Sequence, residues 1–202
     1  MTGAGVRPRA AAILGFWFGL PGEPESGTFR RRWFERSAAF DAAIGERFGP
    51  EIDLAARGAL DAWAADPRGA LALLLLLDQF PRNLFRGSWR AFAADPRARL
   101  VAAGAIAAGH DQALVPLERM FVCLPFVHSE ALADQDRAVA LVEAIAEGPG
   151  YDAEVRNGSI RSALRHREIV ARFGRFPHRN TALGRPTTPE EALFLAGPDS
   201  SF

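Results

Sequence analysis

The unbroken apolar run at residues 71–77, Leu-Ala-Leu-Leu-Leu-Leu-Leu, constrains this chain more than any other stretch. A helix made from it has no polar side to turn to water, so other elements must surround it. Asp66-Pro67 supplies an N-cap followed by proline at the first helical position, and the pattern predicts a helix over 67–80, stopped by Pro81. The run is far shorter than the ~20 residues that cross a bilayer, so it is a core helix and not a membrane span. A chain of 202 residues that is 49% hydrophobic can enclose such a helix in one domain without disulfides or metal.

Periodicity and cap signals predict further helices over 10–18, 29–48, 53–65, 95–109, 117–124, 130–147, 152–173 and 189–195, with a loop at 21–27. The last is announced by Thr188-Pro189-Glu190-Glu191, the sequence of a capping box. No alternating Val/Ile/Thr run lies between turn signals, so strands are not expected. The class is all-α, one helical domain over 1–202, with short joints that pair the helices as antiparallel hairpins. No clean 34-residue repeat is visible.

Acidic and basic residues number 24 each and no like-charge run occurs, which argues against a nucleic-acid partner. Every basic residue is arginine. The absence of lysine excludes a Schiff-base lysine, lysine-linked pyridoxal phosphate and a Walker-type phosphate lysine, and no cofactor is expected. The lone Cys123 lies in an apolar run and reads as a small core residue. Arg7 and Arg9 precede an apolar stretch with the outline of a signal peptide. Trp17 and Phe18 are too bulky for its end, however, and Pro-Gly-Glu-Pro-Glu follows without a small-x-small site. These features predict a soluble, cytoplasmic protein with no membrane partner.

Candidate function residues are polar side chains on faces that should be buried. On the 152–173 helix, Arg161, Arg165, Glu168 and Arg172 form an ordinary solvent stripe, whereas His166 and Arg167 project into the apolar arc. The 117–124 helix is apolar around its circumference apart from Glu118 and Arg119, which predicts a buried Arg119. Asp78 sits at the C-terminal end of its helix, where a negative charge is disfavoured, and so needs a cationic partner among Arg82, Arg119 and Arg167. A buried arginine itself needs a carboxylate or a bound anion.

Two segments share a pattern, Phe80-Pro81-Arg82-Asn83 and Phe176-Pro177-His178-Arg179-Asn180. Turn chemistry explains Phe, Pro and Asn but not the arginine between them each time. A guanidinium on a rigid turn suits bidentate capture of a carboxylate or phosphate, and equally a structural ion pair. In His128-Ser129-Glu130, Ser129 fits an N-cap and Glu130 a first turn. The spacings of His128, Glu130, His166 and His178 fit no metal-ligand pattern.

The strings Leu-Leu-Asp-Gln-Phe-Pro-Arg-Asn-Leu-Phe-Arg-Gly (76–87), Glu-Arg-Met-Phe (118–121), Leu-Pro-Phe-Val-His-Ser-Glu (124–130) and Ala-Arg-Phe-Gly-Arg-Phe-Pro-His-Arg-Asn (171–180), together with His166, resemble the bacterial domain-of-unknown-function family nine-two-four. The resemblance runs from Phe16-Trp17-Phe18 to Thr188. It implies a tetratricopeptide-like helical fold and no established activity, and no site residue is carried over from it.

The residues themselves point to an internal pocket for a small anionic metabolite. Asp78, Arg82, Asn83, Arg119, His128, Glu130, Arg167, Arg179 and Asn180 are its candidate ligand-binding set, and His166 and His178 its candidate general acids or bases. Trp33, Phe80, Phe121 and Phe176 would be its apolar walls. That reading requires the guanidinium groups to converge and to outnumber the carboxylates. Two alternatives stand beside it: a helical-repeat module that captures a peptide carboxylate, and an internal polar network with no ligand.

Overall fold

A computed structural model describes residues 6–20, 22–23, 26–148, 152–198 and 200. They form helices α1 (Val6–Phe18), α2 (Ala38–Ala56), α3 (Pro67–Leu74), α4 (Phe80–Leu84), α5 (Asp95–Ala107), α6 (Pro116–Val127), α7 (Leu132–Ala146), α8 (Ala153–Phe173) and α9 (Pro189–Leu195), with short 3-10 turns between several of them. No strand occurs among the described residues, and none of their helices is long and apolar enough to cross a membrane. The predicted 21–27 loop lies partly outside the described residues.

The leucine run occupies the centre. Every residue from Gly69 to Pro81 is buried, and α1, α2, α5 and α6 pack around this stretch. Asp66 caps α3 by accepting from the Gly69 N–H at 2.9 Å. Pro81 does not stop the helix as predicted. The backbone widens into a π turn at Leu75–Gln79, in which the Phe80 N–H donates to the Leu75 carbonyl, and α4 follows directly. A proline ring collides with the carbonyl four residues earlier in a regular helix, and the wider turn accommodates it. The π turn also carries Asp78 into the core.

Other predicted boundaries move for identifiable reasons. The 29–48 helix is replaced by a 3-10 turn, Arg31–Trp33, and then α2, which Ser37 caps by accepting from the Phe40 N–H. Trp33 holds that turn in place: its indole N–H donates to the Trp17 carbonyl at 3.0 Å and its ring stacks on Trp17. Helix α2 then runs through Pro50 to Ala56, because Ile44, Phe48, Ile52 and Ala55 bury one continuous face. Residues 61–65 therefore form only a 3-10 turn. Helix α6 likewise passes Pro125 to Val127, and α7 begins at Leu132 instead of residue 130.

Helices α6, α7 and α8 alternate in direction. Met120 and Cys123 meet Val142, Ile145 and Ala163 in one apolar cluster, whereas the opposite ends are joined by Gln135, whose amide donates to the carbonyls of Val127 and Ser129. Cys123 is buried, and burial pushes its thiol up to about 12, as befits a core residue. Asp152 caps α8, Gly174 closes it with φ +68°, and Thr188 and Glu191 make the predicted capping box on α9.

Truncation at the centre should be costly. Leu75→Ala, at a position with 0% exposure, is expected to lose about 2–5 kcal/mol in urea unfolding. Leu100→Ala, 75% exposed on α5, should stay within about 0.5 kcal/mol of the parent.

Candidate functional site

Asp78 is 1% exposed, and its surroundings follow from that burial. Its carboxylate accepts from His128 Nδ1 at 2.8 and 3.0 Å and from the Gln79 amide at 2.6 Å, and lies 3.2 Å from Arg82 NH1. Burial alone would raise its pKa, but Arg82 and His128 together hold it well below the usual carboxylate range. An ionised carboxylate only accepts, so His128 carries its proton on Nδ1 and presents Nε2 as an acceptor. Burial and the Arg82 charge lower the His128 pKa against the pull of Asp78, which keeps the ring neutral at pH 7.

Arg82 extends the arrangement to α5. It donates to the Asp78 carbonyl at 2.9 Å and grips Asp95 through two bonds of 2.9 and 3.0 Å. Asp95-Pro96 repeats the Asp66-Pro67 sequence, yet Asp95 is the first residue of α5 and its side chain does not cap that helix. Arg179 enters from the 3-10 turn Pro177–Arg179. It is 6% exposed and flanked by the rings of Phe92 and Phe176, 4.6 and 4.5 Å from its guanidinium carbon. One nitrogen donates to the His128 carbonyl at 3.0 Å, another reaches Asp95 at 3.3 Å, and Nε has no hydrogen-bond partner among the described residues. Burial and Arg82 push its pKa down to about 10, against the nearby carboxylates.

The remaining imidazoles line the same region. His166 is buried on α8, with its ring centroid 6.2 Å from that of His128 and 5.5 Å from that of Phe176. Its Nδ1 lies 2.8 Å from the Ser162 carbonyl, an acceptor, so Nδ1 is protonated. Burial, and after it the proximity of His128, takes the His166 pKa down to about 3. His178 stacks obliquely on Phe176, and burial and Arg179 bring it down to about 4.

Glu130 and Asn180 fasten the turn that bears Arg179. Glu130 accepts from the Phe176 N–H at 2.7 Å and takes a two-bond grip from Arg185. It does not act as a first-turn residue of α7, and Ser129 donates to Asp134 instead of capping that helix. Asn180 joins Arg185 and Glu191, and Glu191, paired with Arg175 and bonded by the Thr188 N–H, is lowered to about 2.

The structure therefore brings Asp78, Arg82, His128, Glu130, His166, His178, Arg179 and Asn180 into one neighbourhood and leaves three predicted residues outside it. Arg119 is half-buried and reaches Asp111 at 3.5 Å, because it leaves the α6 helix toward the 3-10 turn His110–Ala113. Arg167 pairs with Asp136 at the α7–α8 surface. Asn83 donates to Asp41 of α2. Of the predicted walls, only Phe176 touches the cluster's histidines and Arg179; Trp33, Phe80 and Phe121 pack with Trp17 in the aromatic core. Nor do the guanidinium groups outnumber the carboxylates: Arg82 and Arg179 face Asp78 and Asp95, and Arg185 faces Glu130. Sequence reasoning missed Asp95, Arg185 and Phe92. The arginine in each Phe-Pro motif was the available signal for Asp95, since it demanded a carboxylate. Among the described residues, no group of three or more His, Cys, Asp or Glu side chains converges as metal ligands would.

A family model for bacterial proteins of unknown function (DUF924) matches residues 13–199. A solved structure of a protein of unknown function from Agrobacterium tumefaciens, ATU0120, is similar at 43% identity and a TM-score of 0.81, covering 95% of this chain and 98% of that one. No curated protein matches. The chain belongs to the DUF924 family of bacterial proteins.

The histidines make stability pH-dependent. Unfolding raises His166 and His178 from about 3 and about 4 to the ordinary 6.5, so between those values the unfolded chain binds more protons and stability falls as pH falls. At pH 5, calorimetry in buffers of different ionisation enthalpy should find uptake of about two protons from this pair on unfolding. His166→Gln should remove about one of them. Equal uptake in parent and variant would contradict the assignment.

Proposed function

We propose that the neighbourhood of Arg179 binds a small anion, a carboxylate or a phosphate. The observation that carries this reading is the state of Arg179 itself, and not the excess of guanidinium groups expected from the sequence. Among the described residues its only carboxylate contact is a long one to Asp95, whose two oxygens Arg82 already holds, and its Nε has no acceptor there. A buried guanidinium with unused donors is the group an anion satisfies best. The neutral imidazoles of His128, His166 and His178 fit the same reading, because they sit where positive charge is disfavoured and can donate to or take a proton from a bound group. His166 and His178 are the proposed proton acceptors of any reaction there. Asp78 and Arg82 orient His128, while Glu130 and Asn180 hold the Arg179 turn.

The equal pairing of arginines with carboxylates favours a second reading, in which the same side chains are a structural network. The tetratricopeptide-like superhelix implied by the sequence resemblance, and with it capture of a peptide carboxylate, would need an open concave face at these residues. A cytoplasmic setting belongs to the proposal and is supported by the single, buried Cys123.

Thermal unfolding with inorganic phosphate and with citrate separates the readings. A bound anion at 100 times its Kd adds about 2.7 kcal/mol, a rise of roughly 5–10 °C for a chain of this size. Arg179→Lys keeps the charge and loses the planar fork, and should lose most of that rise. No rise with either anion, or the same rise in the variant, would favour the network.

A further inference from the structure

A groove of about 460 Å³ lies between α6 and α8, bordered by the segment that carries Phe29 and Phe34. None of its lining residues belongs to the Arg179 cluster. Met120, Leu124 and Val127 on α6 and Val155 on α8 give it apolar walls. Its size falls within the ~300–1,000 Å³ usual for small-molecule sites.

The charge at its edge is specific. Arg31 and Arg161 both line the groove, both are exposed, and neither guanidinium makes an ion pair or hydrogen bond with any described residue. Elsewhere on α8, Arg165 pairs with Glu168, Arg167 with Asp136 and Arg172 with Glu190, whereas Arg156 makes no ion pair with a described residue and does not line the groove. Against the two free cations stands only Glu154, so the edge carries an excess of one positive charge.

Gly158 gives a further indication. It lies in the interior of α8 and lines the groove, and a Cβ added to it would meet nothing within 4 Å. Helix packing therefore does not require a glycine there, although glycine costs a helix interior about 0.5–1 kcal/mol relative to alanine. Its effect in this position is to keep the groove wide.

We propose that this groove is a ligand site separate from the Arg179 cluster, and that it takes a dissolved amphipathic monoanion. An unbranched apolar chain lies between α6 and α8, and a carboxylate head meets Arg31 and Arg161. The two arginines supply charge-assisted hydrogen bonds at the water-facing end, and the walls exclude water from the chain.

Isothermal titration with decanoate, 1-decanol and butyrate tests the assignment on the full chain. Decanoate should bind saturably with one site per chain, 1-decanol more weakly, and butyrate not measurably. Arg31→Gln/Arg161→Gln should weaken decanoate by about tenfold or more while leaving 1-decanol within about twofold. Gly158→Leu fills the groove and improves helix propensity, so it should weaken both long ligands by about tenfold or more without lowering Tm. Arg179→Lys should leave decanoate binding unchanged, which separates this site from the anion cluster. The proposal is overturned if monomeric decanoate does not bind, if Gly158→Leu binds it as the parent does, or if the double variant retains full affinity. Binding to phosphatidylglycerol vesicles without binding of monomeric decanoate would also overturn it, and would mark the face as a membrane contact.

Discussion

One carboxylate in the middle of an apolar helix organises much of this molecule. Asp78 follows seven residues that must all be buried, and the π turn at Leu75–Gln79 carries it inward with them. An ionised group in that position is tolerated only with partners on every side. Arg82 comes from the same helix, one turn on, while His128 comes from the joint between α6 and α7. Satisfying Asp78 thus ties the central helix to the C-terminal half of the chain. Arg82 then needs Asp95, and Asp95 is shared with Arg179, which draws in the segment after α8. Each buried charge sets the demand for the next.

The helical class was legible because it rests on local chemistry: apolar periodicity, Asp66 before Pro67, and the Thr188–Glu191 box all act within one turn. Boundaries failed where packing overrode a local breaker. Pro50, Pro81 and Pro125 each lie inside a helical stretch because the residues beyond them belong to the same buried surface. The candidate site was legible in part for a related reason. An arginine or aspartate on an apolar face announces that it needs a partner, and so Asp78, Arg82 and Arg179 could be picked out. Its partner's identity depends on the fold, which is why Asp95 was missed and Arg119 and Arg167 were placed with Asp78. Arg167 shows the limit of a helical wheel: its long stem lets the guanidinium reach Asp136 at the surface from an inward-leaning position.

The two candidate sites differ in physical character. Around Arg179 the groups are buried, polar and largely committed to one another, so a ligand there must compete with an existing network. Between α6 and α8 the walls are apolar and the charges are uncommitted, so a ligand there loses little existing structure on entry. The aromatic core around Trp17 and Trp33 fixes α1 and the Arg31–Trp33 turn against α6, through Phe121. That placement brings Arg31 to the groove edge.

The dependence of the whole arrangement on the contact between Asp78 and His128 can be measured directly from the ring nitrogens of His128. Long-range ¹H–¹⁵N NMR at pH 7 should find a neutral imidazole with the proton on Nδ1 and a bare Nε2, and the Nδ1 proton should move on Asp78→Asn substitution. A ring protonated on Nε2 alone, or a fully charged imidazolium, would contradict the account.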